Sequence, residues 1–116
     1  MRKTVFEKIR DREISGEFVY EDEEVMAIKD IHPAAPIHIL IIPKHAYPTL
    51  EDVPVESDLP AKLIKVAQQV AKKLGISENY KLFMNVGKKV QMVHHVHLHL
   101  MGGWDKPSPS TQVSIV

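Results

Sequence analysis

The run His94-His95-Val96-His97-Leu98-His99-Leu100-Met101 alternates imidazole and aliphatic side chains. A β-strand turns successive side chains to opposite faces, so His95, His97 and His99 fall on one face and Val96, Leu98 and Leu100 on the other. A segment with one aliphatic face and one wall of imidazoles belongs in a sheet that covers a core. The chain carries seven histidines and four of them lie in this run, which marks it as the candidate functional centre.

The flanks agree with a sheet. The last core strand is expected from Val93 to Met101, closed by Gly102-Gly103, with a Ser- and Pro-rich tail at 104–116. Upstream, Tyr80 to Val86 reads as its neighbour, joined through Gly87-Lys88-Lys89. Before that, Leu59, Leu63, Val66, Val70 and Leu74 recur at helical steps. Pro60 sits in the first turn of this helix, Lys72 and Lys73 suit its negative end, and Gly75 suits the position just past it. Ile37-His38-Ile39-Leu40-Ile41-Ile42, closed by Pro43, is nearly all apolar and reads as a central strand covered on both faces. The breaker-rich His32-Pro33-Ala34-Ala35-Pro36 precedes it. Phe18-Val19-Tyr20 and Val25-Met26-Ala27-Ile28 flank a polar turn at Glu21 to Glu24. Thr4 and Glu7 have capping-box spacing ahead of a short helix, roughly Val5 to Asp11, with Val5, Phe6 and Ile9 on one stripe. Lys44 to Val55 reads as irregular. The pattern predicts an α+β fold, one mostly antiparallel five-stranded sheet with two helices upon it.

Composition narrows the class. With 116 residues, the chain is expected to form one domain able to bury a core, its body at about residues 4–103. It has no cysteine, which excludes disulfides and thiolate metal sites. Fifteen basic residues balance fifteen acidic ones, so no global charge favours nucleic acid. No apolar run approaches a membrane span, and Met1 to Glu7 lacks a secretory apolar region. A soluble cytoplasmic protein is the expectation.

Three imidazoles on one face allow two chemistries. Imidazole is the commonest zinc ligand, yet residues i, i+2 and i+4 of a strand span about 13 Å, and three in a row rarely converge on one ion. Alternatively, neutral imidazole is a competent nucleophile at phosphorus, and neighbouring imidazoles disfavour one another's protonation. His97, flanked on both sides, is the best nucleophile candidate. Spacing by itself leaves metal and nucleophile both open. For other residues the plain readings are structural: Asp30 as a cap on the loop before Pro33, Phe6 and Ile9 as core, His32 and His45 as exposed loop residues.

Gln91-Met92-Val93-His94-His95-Val96-His97-Leu98-His99-Leu100 resembles the signature of the histidine triad family, His-x-His-x-His among apolar residues and preceded by Gln-x-Val. Val5-Phe6 through Glu13-Ile14, Asp30-Ile31, Pro33, Ala35-Pro36, His38, Ile42-Pro43-Lys44 and Gly102-Gly103 are similar to the Hint branch of that family. The resemblance implies the corresponding fold, a homodimer with two sheets joined edge to edge, and hydrolysis of purine nucleoside phosphoramidates or related AMP conjugates. It implies that His97 attacks the α-phosphorus and holds a nucleotidyl intermediate, that His99 contacts the phosphate or leaving group, and that His95 and His38 form a supporting relay. Asp30 is implied to bind the ribose hydroxyls, Phe6, Ile9, Ile31 and Leu40 to sandwich the purine, and Asn85, Gln91 and Val93 to lie at the nucleotide. No cofactor is implied as required. Zinc is allowed for, without a catalytic part. Competing expectations are a dinucleoside polyphosphate hydrolase and a purine-nucleotide-binding protein with little turnover. No nucleic-acid or membrane partner is expected.

The chain departs from the Hint pattern at defined places. Met92 stands where a serine is usual, Lys88-Lys89-Val90 replace a glycine-rich loop, and His94 replaces an aromatic residue. Ile28 stands where phenylalanine is common, and Trp104 comes early without the usual Trp-Pro pairing.

Overall fold

A computed structural model describes residues 2–106, so the expected tail lies outside the described residues from 107 onward. The elements are α1 (Val5–Arg10), β1 (Phe18–Glu21), β2 (Val25–Lys29), β3 (Ile37–Pro43), a 3₁₀ turn (Leu50–Asp52), α2 (Leu59–Lys73), β4 (Tyr80–Phe83) and β5 (Leu98–Gly102). The five strands form one antiparallel sheet in the order β1-β2-β3-β5-β4. The α+β architecture is as expected, with one helix on each face.

Helix α2 covers one face with Leu59, Leu63, Val66, Ala67, Val70 and Ala71, packed against Val25, Ala27, Ile39, Ile41, Leu98 and Leu100. Burying Leu63 and Val66 alone stabilises the fold by about 3–6 kcal/mol. The helix ends as a Schellman motif: Gly75 takes φ 73°, and Ile76 N–H reaches Ala71 O at 2.9 Å. Its start differs from the simple cap, because Ser57 Oγ, not Asp58, accepts Leu59 N–H at 3.1 Å.

Helix α1 lies on the opposite face and buries Phe6 and Ile9 against Met26, Ile28, Leu40 and Ile42. Thr4 and Glu7 complete the anticipated capping box. The helix closes through Arg12, whose φ of 63° is unusual for a side chain with a Cβ. Arg12 is held there by an ion pair to Glu21 and by stacking over the Phe18 ring.

Two strands are shorter than their sequences predict. The expected Val93–Met101 strand starts only at Leu98, so His95 and His97 precede it. In the β3–β5 register, Ile41 pairs with Leu98, and the next positions would bring Pro43 opposite Val96. Pro43 has no N–H to donate. Its carbonyl is instead taken by the His95 ring, while Val96 N–H goes to Tyr47 O at 2.8 Å. The expected Tyr80–Val86 strand likewise stops at Phe83, opposite His99, because β5 offers almost nothing further to pair with.

Candidate active site

Although the ladder stops at Leu98, the alternation of faces persists through the irregular segment. Val96 and Leu98 enter the α2 side of the core. The His95, His97 and His99 rings lie on the α1 side. The Phe6 ring sets its edge against His95 (5.6 Å between centroids, 75°) and His97 (5.0 Å, 72°), and His97 meets His99 at 5.0 Å. His38 is placed on the same face by β3, diagonal to His99 across the β3–β5 pair.

Backbone partners fix the tautomers of His38, His95 and His97, and His38 in turn fixes that of His99. A carbonyl can only accept, so the 2.7 Å contact from His97 Nδ1 to His95 O puts the proton on Nδ1. His97 Nε2 is then a bare lone pair. By the same logic His95 Nε2 donates to Pro43 O at 2.7 Å, and its Nδ1 accepts from the Thr4 hydroxyl at 3.0 Å. Ala34 N–H donates to His38 Nδ1 at 3.0 Å, which leaves the His38 proton on Nε2. That proton points to His99 Nδ1 at 3.0 Å, so His99 carries its own proton on Nε2. The cluster therefore presents one bare nitrogen, on His97, and one N–H donor, on His99.

Burial keeps the rings neutral. It pushes His38, His95 and His97 below the ordinary 6.5. His99 falls to about 4, through burial first and then the proximity of His97 and His38.

The His97 and His99 rings line one end of a cavity of about 420 Å³, a size suited to a small molecule. Phe6, Ile9, Ile28 and Leu40 give it apolar walls, Ile31 and Met92 stand at its exposed rim, and Val93 and Asn85 flank the histidine end. Asp30 also lines it. One carboxylate oxygen accepts His32 N–H at 2.8 Å, the loop cap anticipated from sequence, and the other lies 3.5 Å from His38 Nε2.

Of the residues anticipated for the site, Phe6, Ile9, Asp30, Ile31, Leu40, Asn85, Val93, His97 and His99 line this cavity. His95 and His38 stand behind the lining. Gln91 is buried elsewhere: its amide oxygen accepts Gly87 N–H at 2.7 Å, and its nitrogen donates to Pro48 O and Val93 O. It holds the loop that carries the histidines. Sequence reasoning passed over Ile14, Ser15 and Gly16, which close the α1 end of the cavity. It also passed over the link from Thr4 to His95, since separations of this kind leave no local signal.

Asp30, His38 and His99 bring potential metal-ligand atoms within 4.8 Å of one another, a convergence that strand spacing did not suggest. The His38 tautomer does not fit an ion there. A neutral imidazole that ligates through Nε2 carries its proton on Nδ1, where Ala34 N–H already donates. The His38 proton goes instead to His99 Nδ1 at 3.0 Å, with the Asp30 carboxylate 3.5 Å from His38 Nε2.

The HIT domain family matches residues 11–106. The chain is 45% identical over 104 residues to the purine nucleoside phosphoramidase of Escherichia coli K12, covering 87% of each chain. Among solved structures, a HIT family hydrolase from Clostridium thermocellum superimposes with a TM-score of 0.86 at 42% identity, covering 94% of this chain and 98% of that one. A HIT family hydrolase from Legionella pneumophila gives 0.85 at 41%, covering 92% and 98%.

Proposed function

This chain belongs to the HIT, or histidine triad, family, and from that premise we propose that it hydrolyses purine nucleoside phosphoramidates or related AMP conjugates through a nucleotidyl-histidine intermediate. The observation that carries the proposal is the bare Nε2 of His97. The His95 carbonyl holds the proton on the far nitrogen, and the ring faces a cavity with apolar walls and a carboxylate.

In this mechanism the purine lies between Phe6, Ile9, Ile31 and Leu40, and the free oxygen of Asp30 accepts from the ribose hydroxyls. Asn85 and Val93 stand beside the phosphate. His97 Nε2 attacks the α-phosphorus. A phosphorus–nitrogen bond to His97 forms as the bond to the leaving amine breaks, and the amine departs with a proton taken up from solvent. The His99 Nε2–H, oriented by the Ala34–His38 relay, donates to the phosphate or to the departing group. Water then attacks the phosphorus and breaks its bond to His97 Nε2; AMP leaves, the proton lost by the water passes to solvent, and His97 is back in its starting tautomer. Zinc has no part in these steps.

The proposal extends to a cytoplasmic homodimer. Among the described residues strand β4 is a sheet edge with exposed Phe83, and a sheet edge of this kind is readily covered by a second copy. Sedimentation measurements test the dimer directly.

The test of function is incubation with an adenosine 5′-phosphoramidate, with AMP followed by chromatography. His97→Ala should abolish release while AMP binding persists. Release that survives the substitution refutes the nucleophile assignment. Faster turnover of a diadenosine polyphosphate would instead make pyrophosphate-linked nucleotides the substrate class.

A further inference from the structure

Thr4 does not line the cavity, and its sequence separation from His95 is 91 residues. Its hydroxyl nevertheless joins two parts of the molecule. The oxygen accepts Glu7 N–H at 3.1 Å as the cap of α1, while Thr4 N–H donates to the Glu7 carboxylate at 2.9 Å. The hydroxyl proton is left to donate, and His95 Nδ1 lies 3.0 Å away. His95 is wholly buried, and its other nitrogen is committed as a donor to Pro43 O. Its Nδ1 therefore has to meet a donor, and a threonine hydroxyl supplies one. The carbonyl of this same residue accepts the Nδ1–H of His97 at 2.7 Å.

We propose that Thr4 is a positioning residue for the nucleophile. Its O–H pins the His95 ring between Thr4 and Pro43 in a single tautomer. The pinned residue holds out the carbonyl that keeps the His97 proton on Nδ1 and leaves Nε2 bare. Phe6, two residues along α1, packs on both rings, so the helix cap and the triad are set by one contact network. This rests on the reading of His97 as nucleophile for its catalytic consequence only, because the tautomer itself is observable without turnover. The charged or titratable groups about His95 are Glu7 and Arg10 of α1 and His97.

The experiment combines ¹⁵N histidine NMR with phosphoramidate turnover on three variants of the full chain. Thr4→Ser keeps donor and cap, and should keep the His95 Nε2–H signature and restore most of the turnover. Thr4→Val keeps the shape but removes both the donor to His95 and the cap acceptor for Glu7 N–H, and Thr4→Asp separates the two losses. In it the His97 nitrogens should move toward values averaged over two tautomers, and kcat/KM should fall by about 10–100-fold, the scale set by partners that orient functional histidines, with AMP affinity near that of the parent. Thr4→Asp still caps the helix but offers an acceptor, so His95 should become an imidazolium near neutral pH. A single unchanged His97 tautomer in Thr4→Val, or a neutral His95 in Thr4→Asp, overturns the proposal. If the parent chain lacks turnover while the NMR responses appear, the functional reading fails and the positioning role stands.

Discussion

Acid should unfold this protein through its own histidine cluster. His38, His95, His97 and His99 are all held below their ordinary 6.5 in the folded chain, and His99 lies at about 4. Unfolding exposes each ring to water and restores its ordinary affinity for a proton. Below about pH 6.5 the unfolded chain therefore binds more protons than the folded one, and stability must fall with falling pH. The contribution is fully present above that point and is lost as the pH drops toward the folded values. At about 1.4 kcal/mol per pH unit for each proton, His99 alone removes about 3 kcal/mol between 6.5 and 4. The other three act with the same sign. Urea unfolding followed by far-ultraviolet circular dichroism, from about pH 7 down to about pH 5, reads the slope. His99→Gln removes one titrating ring while keeping an acceptor for His38 Nε2–H, so its slope should be shallower by up to about 1.4 kcal/mol per pH unit. A stability that is flat or rising on acidification, or a His99→Gln slope equal to that of the parent, refutes the reasoning.

Three further outcomes follow from contacts elsewhere. In Gly16→Ala the new Cβ would lie 2.7 Å from Ile9 Cγ2, so Ile9 has to shift into the cavity; stability should fall by about 1–3 kcal/mol, and KM for a purine substrate should rise more than kcat falls. Gln91→Leu strands Gly87 N–H, Pro48 O and Val93 O; a loss of about 2–4 kcal/mol in chemical denaturation is expected, and activity should fall with it because the histidine loop hangs on these bonds. Asp30→Asn keeps an acceptor for His32 N–H but removes the charge; ribonucleotide affinity should weaken by about 10–100-fold. Binding of a 2′,3′-dideoxy analogue should stay unchanged, and an equal loss for both ligands would sever Asp30 from the ribose.

The two helices, the apolar β3 and the side of the sheet on which each histidine falls are local properties of the sequence. Helical recurrence at Leu59, Leu63, Val66 and Val70 and strand alternation from Val96 to Leu100 are forced by backbone geometry, so they survive without tertiary information. Strand ends are a different matter. Val93 to His97 has the composition of a strand, but a strand needs a partner with donors and acceptors in register. Pro43 lies where that donor was required, and β5 begins at Leu98 for that reason. The extension of β4 to Val86 failed in turn, since its partner was missing.

Sequence alone also placed most of the cavity's lining and singled out His97, through alternation and through a family signature. It could say that three imidazoles share a face, but a side chain's position in the chain does not state which of its nitrogens holds the proton. Only the tertiary structure decides that, by bringing the Pro43 carbonyl and the Thr4 hydroxyl against the His95 ring from far away in the chain, and by folding the short spans that set Ala34 N–H on His38 and the His95 carbonyl on His97. Those groups donate or accept in one sense only, and their arrangement makes one ring a bare nitrogen and another an N–H donor.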